Sequence, residues 1–334
     1  MQKRILILKN DRTGDLFVSL NAINKILNKH LNDDIEIILS NINHKFSFLF
    51  PKLKKRVLGM NLSFYEKTKI FFFFLFNNID TVYILTPKSF YYFLPFFFRN
   101  TKFYAITIKS KNSRPNNFLL KYLYKYVCID RINILKRKSS YIIQSELIDS
   151  KQNKNLISNF SKPKHNFIYP DNSIYFHYKE NLFKNLLKWN LEKTCSLIEY
   201  LSTKYDNILF SSELFNEKLN SFFIHKYNSF DYDNYSTNKL NNKNIFFLKN
   251  IDGVDLFDAV KKSKKIIAPE GIITHMGYFL KKPILALMHF NLKNKQDFIN
   301  QVISCKEWFP PNKYEFIVLK KNFDNSIKKL SKRI

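Results

Sequence analysis

Cysteine is scarce in this chain of 334 residues, limited to Cys128, Cys195 and Cys305, which lie far apart. An odd, scattered set excludes a disulfide framework and a cysteine-spaced metal site, and suits a reducing compartment. Glycine and proline are also few, 5 and 10 residues, which excludes collagen-like and low-complexity disordered chains. Acidic residues are outnumbered, 27 against 55 Lys and Arg, leaving a formal charge of +28. Long hydrophobic runs are missing as well. The most apolar stretches, Ile70 to Phe76 and Tyr91 to Phe98, fall short of the roughly 20 residues a spanning helix needs. The opening Met1-Gln2-Lys3-Arg4 leads into Ile5-Leu6-Ile7-Leu8, an apolar run too short for a signal peptide.

What is present is a chain long enough for two domains of middling size, with 45% apolar residues to build a core in each. The 35 Phe and 19 Tyr, together with abundant Lys, Asn and Ile, read as drift towards AT-rich codons. A single Phe or Lys therefore carries little functional information. A basic surface attracts phosphates, so nucleic acid is one reading of the charge. Lys is nevertheless scattered from Lys3 to Lys332, with no zinc knuckle, RRM-type signature or basic helix. The expectation is no nucleic acid, but an anionic membrane surface or a phosphorylated acceptor.

Along the chain, strand and helix signals alternate. Ile5–Leu8, Ile35–Leu39, Thr81–Leu85 and Phe103–Thr107 read as strands, with a helix from Asp15 to Leu27 and a buried one from Phe64 to Phe76. Asp149–His165 is polar and weakly periodic, and reads as a linker. The rhythm resumes with strands Ser173–His177, Asn207–Ser211, Asn244–Leu248, Lys265–Ala268 and Pro283–Leu287. Helices Glu192–Thr203, Val254–Lys262 and Ile273–Leu280 fall between them. Asn228–Asn242, polar and aromatic without period, reads as a loop. The predicted class is α/β, with two Rossmann-like domains, 1–155 and 166–334, and ligands between the carboxyl ends of two parallel sheets.

Two stretches carry chemistry. In Arg4-Ile5-Leu6-Ile7-Leu8-Lys9-Asn10-Asp11-Arg12-Thr13-Gly14-Asp15-Leu16 a buried strand ends in a polar loop. Thr13 and Gly14 are read as loop and turn residues, Gly14 allowing a tight turn or close ligand approach. Asp15 follows at the start of a helix, either as a cap or as a general base for an acceptor hydroxyl. In the second stretch, Lys265-Ile266-Ile267-Ala268-Pro269-Glu270-Gly271-Ile272-Ile273-Thr274-His275-Met276-Gly277, strand, turn and helix recur. Free N–H groups at that helix start suit a diphosphate. Glu270 could accept a sugar hydroxyl, and Thr274 and His275 could add hydrogen bonds; the alternative reading is Glu270 as a cap and His275 as a satisfied helix residue.

Together these stretches resemble the two motifs of the heptosyltransferase family, glycosyltransferase family 9, with a strand, loop and Gly-Asp in the first half. Pro-Glu-Gly and a following His, then Pro283-Ile284-Leu285-Ala286-Leu287, match in the second. The resemblance implies a GT-B fold, with Asp15 as catalytic base and Glu270, Gly271, Thr274 and His275 as donor-binding residues. Lys188, beside Trp189, stands where the family has a phosphate-contacting Lys, with Lys184 as the alternative. Glu213 could meet the nucleoside or cap a helix. Ile272 stands where Gly is common, Gly277-Tyr278 replaces an Ala pair, and His177-Tyr178-Lys179-Glu180 replaces a Gly-containing loop. The implied substrates are a nucleotide-diphospho-sugar donor, ADP-heptose by precedent, and a glycolipid or oligosaccharide acceptor of lipopolysaccharide type. Neither metal nor cofactor is implied, and the implied place is the cytoplasmic face of the inner membrane. Asp231-Tyr232-Asp233 resembles a metal-nucleotide motif but follows no buried strand. An epimerase of the same fold, a non-catalytic nucleotide-sugar binder and a nucleic-acid binder remain as alternatives.

Overall fold

A computed structural model describes residues 2–111, 116–133, 138–149, 155–157, 169–170, 172–212, 221–222, 225–226, 230–231, 235–240, 242–249, 251–290, 295–311 and 315–334. The chain divides into two compact units, Met1–Ser161 with Gln296–Pro311, and Lys162–Lys295 with Asn312–Ile334.

The first unit is built on β1 (Arg4–Lys9), β2 (Asp34–Ser40), β3 (Lys54–Leu58), β4 (Thr81–Ile84), β5 (Lys102–Lys109) and β6 (Lys125–Asp130). They lie in the order β3-β2-β1-β4-β5-β6, all parallel. The middle strands, β1 and β4, are apolar and buried on both faces, as helices covering both sides of a parallel sheet require. The edges are different: β3, Lys-Lys-Arg-Val-Leu, is exposed and held by Lys54–Asp34 and Arg56–Glu36 ion pairs across to β2, at 2.7 and 2.9 Å. Helix Phe64–Phe76 spans the interval read from sequence, and starts on a capping box in which Ser63 and Glu66 bond each other's backbone N–H. Residues 296–311 join this unit through a bidentate Arg131–Glu307 pair and a bond from Ser139 Oγ to the Phe309 carbonyl at 2.6 Å.

The second unit contains β7 (Ile174–Tyr178), β8 (Asn207–Ser212), β9 (Phe230–Asp231), β10 (Tyr235–Leu240), β11 (Lys243–Leu248), β12 (Lys265–Pro269), β13 (Ile284–Met288) and β14 (Glu315–Val318). Their order is β14-β13-β12-β7-β8-β11-β10-β9. Without the terminal β10 and β9, the six parallel strands follow the same chain order as in the first sheet. Each unit thus repeats one Rossmann topology, with the order reversing beside its first strand. The interval Asn228–Asn242, read as a loop, instead contains β9 and β10, β10 pairing antiparallel with β11 from Leu240↔Lys243 to Tyr235↔Leu248. Asn242 takes φ 62°, the left-handed turn conformation that two-residue hairpins require and asparagine tolerates. The hairpin was hidden because β10, Tyr-Ser-Thr-Asn-Lys-Leu, has no apolar alternation, and its pairing with β11 supplies the order. No helix among the described residues is long and apolar enough to cross a membrane.

His177, on β7, is buried with Nδ1 3.2 Å from Ser211 Oγ. Burial first, then the Lys179 charge, pulls its imidazole down from 6.5 to about 3. An unfolded histidine takes up a proton below about 6.5, whereas folded His177 stays neutral until about 3. Its contribution is therefore complete above 6.5 and is lost as pH falls towards 3, at about 1.4 kcal/mol per pH unit. Urea titrations across that window should show a slope that His177→Gln flattens.

Candidate functional site

In parallel sheets of this kind ligands bind beyond the carboxyl ends of the strands, where the strand order reverses. In the first unit that point lies between β1 and β4. β1 ends at Lys9, whose side chain is fully buried, with Nζ 2.7 Å from Asp11 Oδ2 and 3.4 Å from the Leu85 carbonyl that follows β4. Burial pushes the Asp11 carboxyl up from its usual range, the Lys9 charge opposes this and Asp15 adds to it, and the net direction is upward. From the β4 side, Lys88 donates to the carbonyls of Asn10, at 2.9 Å, and Met60. Burial pulls its ammonium down to about 8, against the charges of Asp11 and Glu66. Tyr91 Oη donates to Asn10 Oδ1 at 2.7 Å, and Ser40 Oγ donates to the Asp11 carbonyl at 2.6 Å. The loop after β1 is tied down from three neighbouring segments.

So pinned, the loop is only Asn10-Asp11-Arg12. Thr13 and Gly14, read as loop and turn, are the first two residues of helix Thr13–Lys29, with Arg12 extended before it and Leu16 N–H already bonded to the Arg12 carbonyl at 3.2 Å. The turn needs no left-handed residue at Gly14. Asp15 falls in the first helical turn but does not cap it, since no side chain caps this helix. Its side chain is half-buried, and its carboxylate has no hydrogen-bond or ion-pair partner among the described residues. A carboxylate without a hydrogen-bond partner among the described residues has its oxygens open to a hydroxyl.

The corresponding point in the second unit lies between β7 and β12. After β12, Gly271 takes φ 151° and ψ −154°, a conformation L side chains rarely adopt, and helix Ile272–Phe279 begins. A Cβ at Gly271 would stand 3.6 Å from Lys179 Nζ, which reaches over from the end of β7 and lies 3.5 Å from the Glu270 carbonyl. The segment that lacks the expected glycine thus brings an ammonium to the helix start instead. Glu270 Oε1 is 3.4 Å from His275 Nε2. Burial opposes ionisation of Glu270, but the His275 bond and the charges of His275 and Lys179 together hold its carboxyl below the usual range. Thr274 is buried, accepting from Gly271 N–H at 3.1 Å and donating to the Gly271 carbonyl at 2.8 Å, so its hydroxyl closes its own turn. His275 is buried too, with its Nε2 towards Glu270.

Gly277 has a packing reason. A Cβ there would meet Ile266 Cδ1 at 2.3 Å and two Ile284 atoms at 3.2 and 3.3 Å. The helix lies so close on β12 and β13 that Gly277→Ala should overpack the core by about 1–3 kcal/mol. The roughly 1 kcal/mol of helix propensity that alanine gains offsets only part of this, because buried Ile266 has little room to move aside. A lowered midpoint in denaturant titration would show it, and unchanged or raised stability would contradict it.

In the second unit the structure therefore gathers Glu270, Gly271, Thr274 and His275 at one turn and adds Lys179; in the first unit, taken by itself, Lys9, Asp11 and Lys88 stand at the end of β1. Sequence reading assigned none of these four added residues a role. Lys188, exposed at φ 59°, follows the π-helical segment Asn181–Leu186 and makes no hydrogen bond or ion pair with that turn among the described residues. Lys184 pairs with Glu180 at 2.7 Å. Glu213, the Tyr232-Asp233 pair and most of the linker 149–165 lie outside the described residues.

No protein-family model and no curated protein sequence matches the chain. Solved structures do. The chain is similar to a glycosyl transferase family 9 protein from Veillonella parvula, with TM-score 0.63 and 14% identity over 99% of this chain and 90% of that one. It is similar to the E. coli heptosyltransferase WaaC with ADP, at TM-score 0.58 and 12% identity over 99% and 97%. It is also similar to the UDP-GlcNAc 2-epimerase from Neisseria meningitidis bound to UDP-GlcNAc, at 0.53 and 11% over 99% and 91%. The architecture is the GT-B fold, two Rossmann-like units in one chain.

Proposed function

We propose that this protein is a glycosyltransferase that moves a sugar from a nucleotide-diphospho-sugar to an acceptor hydroxyl with inversion. The observation that carries the reading is the carboxylate of Asp15, without a hydrogen-bond or ion-pair partner among the described residues, at the switch point of the first sheet. In the transfer, the acceptor oxygen forms a bond to the anomeric carbon as the bond from that carbon to the diphosphate oxygen breaks. The hydroxyl proton passes to Asp15, and the nucleoside diphosphate leaves with the electron pair. The Gly271 turn, with the N–H groups of the following helix and the Lys179 ammonium, suits that leaving diphosphate. Glu270, oriented by His275, suits a donor hydroxyl.

ADP in the E. coli heptosyltransferase supports a nucleoside diphosphate, and with the sequence motifs it favours ADP-heptose as donor and a lipopolysaccharide-type glycolipid as acceptor. The chemistry assigned here runs on side chains and helix N–H groups alone. In this reading residues 1–155, with Asp15 as base, hold the acceptor and residues 166–334 hold the nucleotide sugar. The epimerase similarity supports a second reading, isomerisation of a nucleotide sugar without an acceptor. Thermal-shift titration against ADP-heptose and UDP-GlcNAc, followed by product analysis with and without a glycolipid acceptor, separates them. A nucleotide sugar at 100 times its Kd should stabilise the fold by about 2.7 kcal/mol. Transfer only when acceptor is present supports the proposal; an isomerised donor without acceptor replaces it by the second reading, and no shift with any nucleotide sugar refutes both.

A further inference from the structure

Phenylalanine is abundant throughout the chain, yet its exposure is lopsided. In the second unit Phe176, Phe183, Phe210 and Phe247 are fully buried, and no described phenylalanine there is exposed. In the first unit Phe64 is 85% exposed, Phe76 78%, Phe97 57% and Phe118 53%. Codon drift would load both units alike, so the composition does not account for this face.

The exposed rings share one helix layer. Helices Phe64–Phe76 and Ser89–Phe97 turn Ile70, Phe74 and Leu94 into the core against β4 and β5, and the opposite side is left uncovered. Phe71 and Phe97 join the two helices with ring centroids 5.5 Å apart, and Phe96 lies 6.2 Å from Phe118 on the next short helix, Asn117–Leu120. Along the first helix Tyr65, Lys69, Phe72 and Phe76 recur at helical spacing on the outer side, Phe72 stacked on Phe76. Cations are interleaved with the rings. Lys69 Nζ sits 4.3 Å from the Tyr65 ring, and the Arg99 guanidinium 5.8 Å from Phe96 and 5.5 Å from Tyr122. Glu66, the one acid of these two helices, is consumed in the bonds to Gly59 and Ser63 N–H.

A contiguous aromatic face of this kind is rarely left to water. Protein interfaces are poor in lysine, whereas aromatic rings at headgroup depth with Lys and Arg beside them fit the boundary of an anionic bilayer. We propose that the outer face of helices Phe64–Phe76 and Ser89–Phe97 docks the protein on an anionic lipid surface, the rings entering the headgroup boundary and Lys69 and Arg99 meeting lipid phosphates. This does not depend on the transfer reading.

The test is co-sedimentation of the full chain with phosphatidylcholine vesicles and with vesicles enriched in phosphatidylglycerol, without substrates. The protein should partition onto the anionic vesicles, less onto the neutral ones, and less again in high salt. The triple variant Phe72→Gln, Phe76→Gln, Phe97→Gln should lose at least about tenfold in partitioning, the scale expected when interfacial apolar area is removed, with its melting temperature near that of wild type. Should the triple variant unfold, Lys69→Gln with Arg99→Gln carries the test, erasing the preference for anionic over neutral vesicles. No partitioning by wild type, or equal partitioning by the folded variants, overturns the proposal. So does a concentration-dependent dimer that the triple variant dissociates without any lipid binding, which would assign the face to a second copy. Because no sugar donor is used, any of these outcomes leaves the proposed activity standing.

Discussion

Asp15→Asn should lower transfer by roughly 100- to 10,000-fold, the range expected when a general base is removed, while leaving nucleotide-sugar binding in place. The substitution keeps the size and shape of the side chain and takes away only the ability to accept the proton. Asp15 makes no bond among the described residues that the amide would break, and the helix-dipole term it forfeits is about 0.3–1 kcal/mol at most sites. The fold should therefore survive almost unchanged. Donor titration by thermal shift and initial-rate measurement on the same preparation divide the outcomes. Wild-type turnover in the variant would remove Asp15 from the chemistry, and a parallel loss of donor binding would show a structural role instead.

Lys9→Met should cost about 3–5 kcal/mol of stability, because it strands the Asp11 carboxylate in a site with little access to water. The pair is short, 2.7 Å, and Lys9 is 1% exposed, so solvent cannot replace the lost ammonium. The sign of the pH dependence follows from the same physics. Burial already raises the Asp11 carboxyl, and without Lys9 the opposing effect disappears, so protonation becomes easier and relieves the stranded charge. The gap between variant and wild type in urea denaturation should be widest near neutrality and narrow towards acid pH. Adding Asp11→Leu should restore much of the loss, since replacing both ions by apolar groups is often neutral. A single variant as stable as wild type at neutral pH would show that the pair is not holding the turn.

The aromatic helix Phe64–Phe76 and the buried strands β1, β4, β7 and β12 were legible because each signal is local. An apolar run or a helical period is written within a few residues. The edge strands β3 and β6 were not: Lys54-Lys55-Arg56 has no apolar pattern and joins the sheet only through β2, and β6, largely uncovered, pairs only with β5. The site divides in the same way. Asp15, Glu270, Gly271 and His275 were marked in the sequence by resemblance to two family motifs, whereas only the structure shows that Thr274 closes its own turn. Lys88 lies 78 positions from Asn10 and becomes its partner only because β4 lands beside β1. Lys179 meets Glu270 only because β7 lies next to β12.

The amino-acid order by itself determined the alternation of strand and helix and the two chemically marked turns, which depend on neighbours within a few residues, and composition alone set the excess of positive charge. Tertiary structure alone decided the strand order, the buried Lys9–Asp11 pair, the return of residues 296–311 to the first unit and the one-sided exposure of phenylalanine. The physical reason is that burial and pairing are properties of segments far apart in the chain. A lysine or phenylalanine reads the same in sequence whether the fold closes over it or leaves it in solvent.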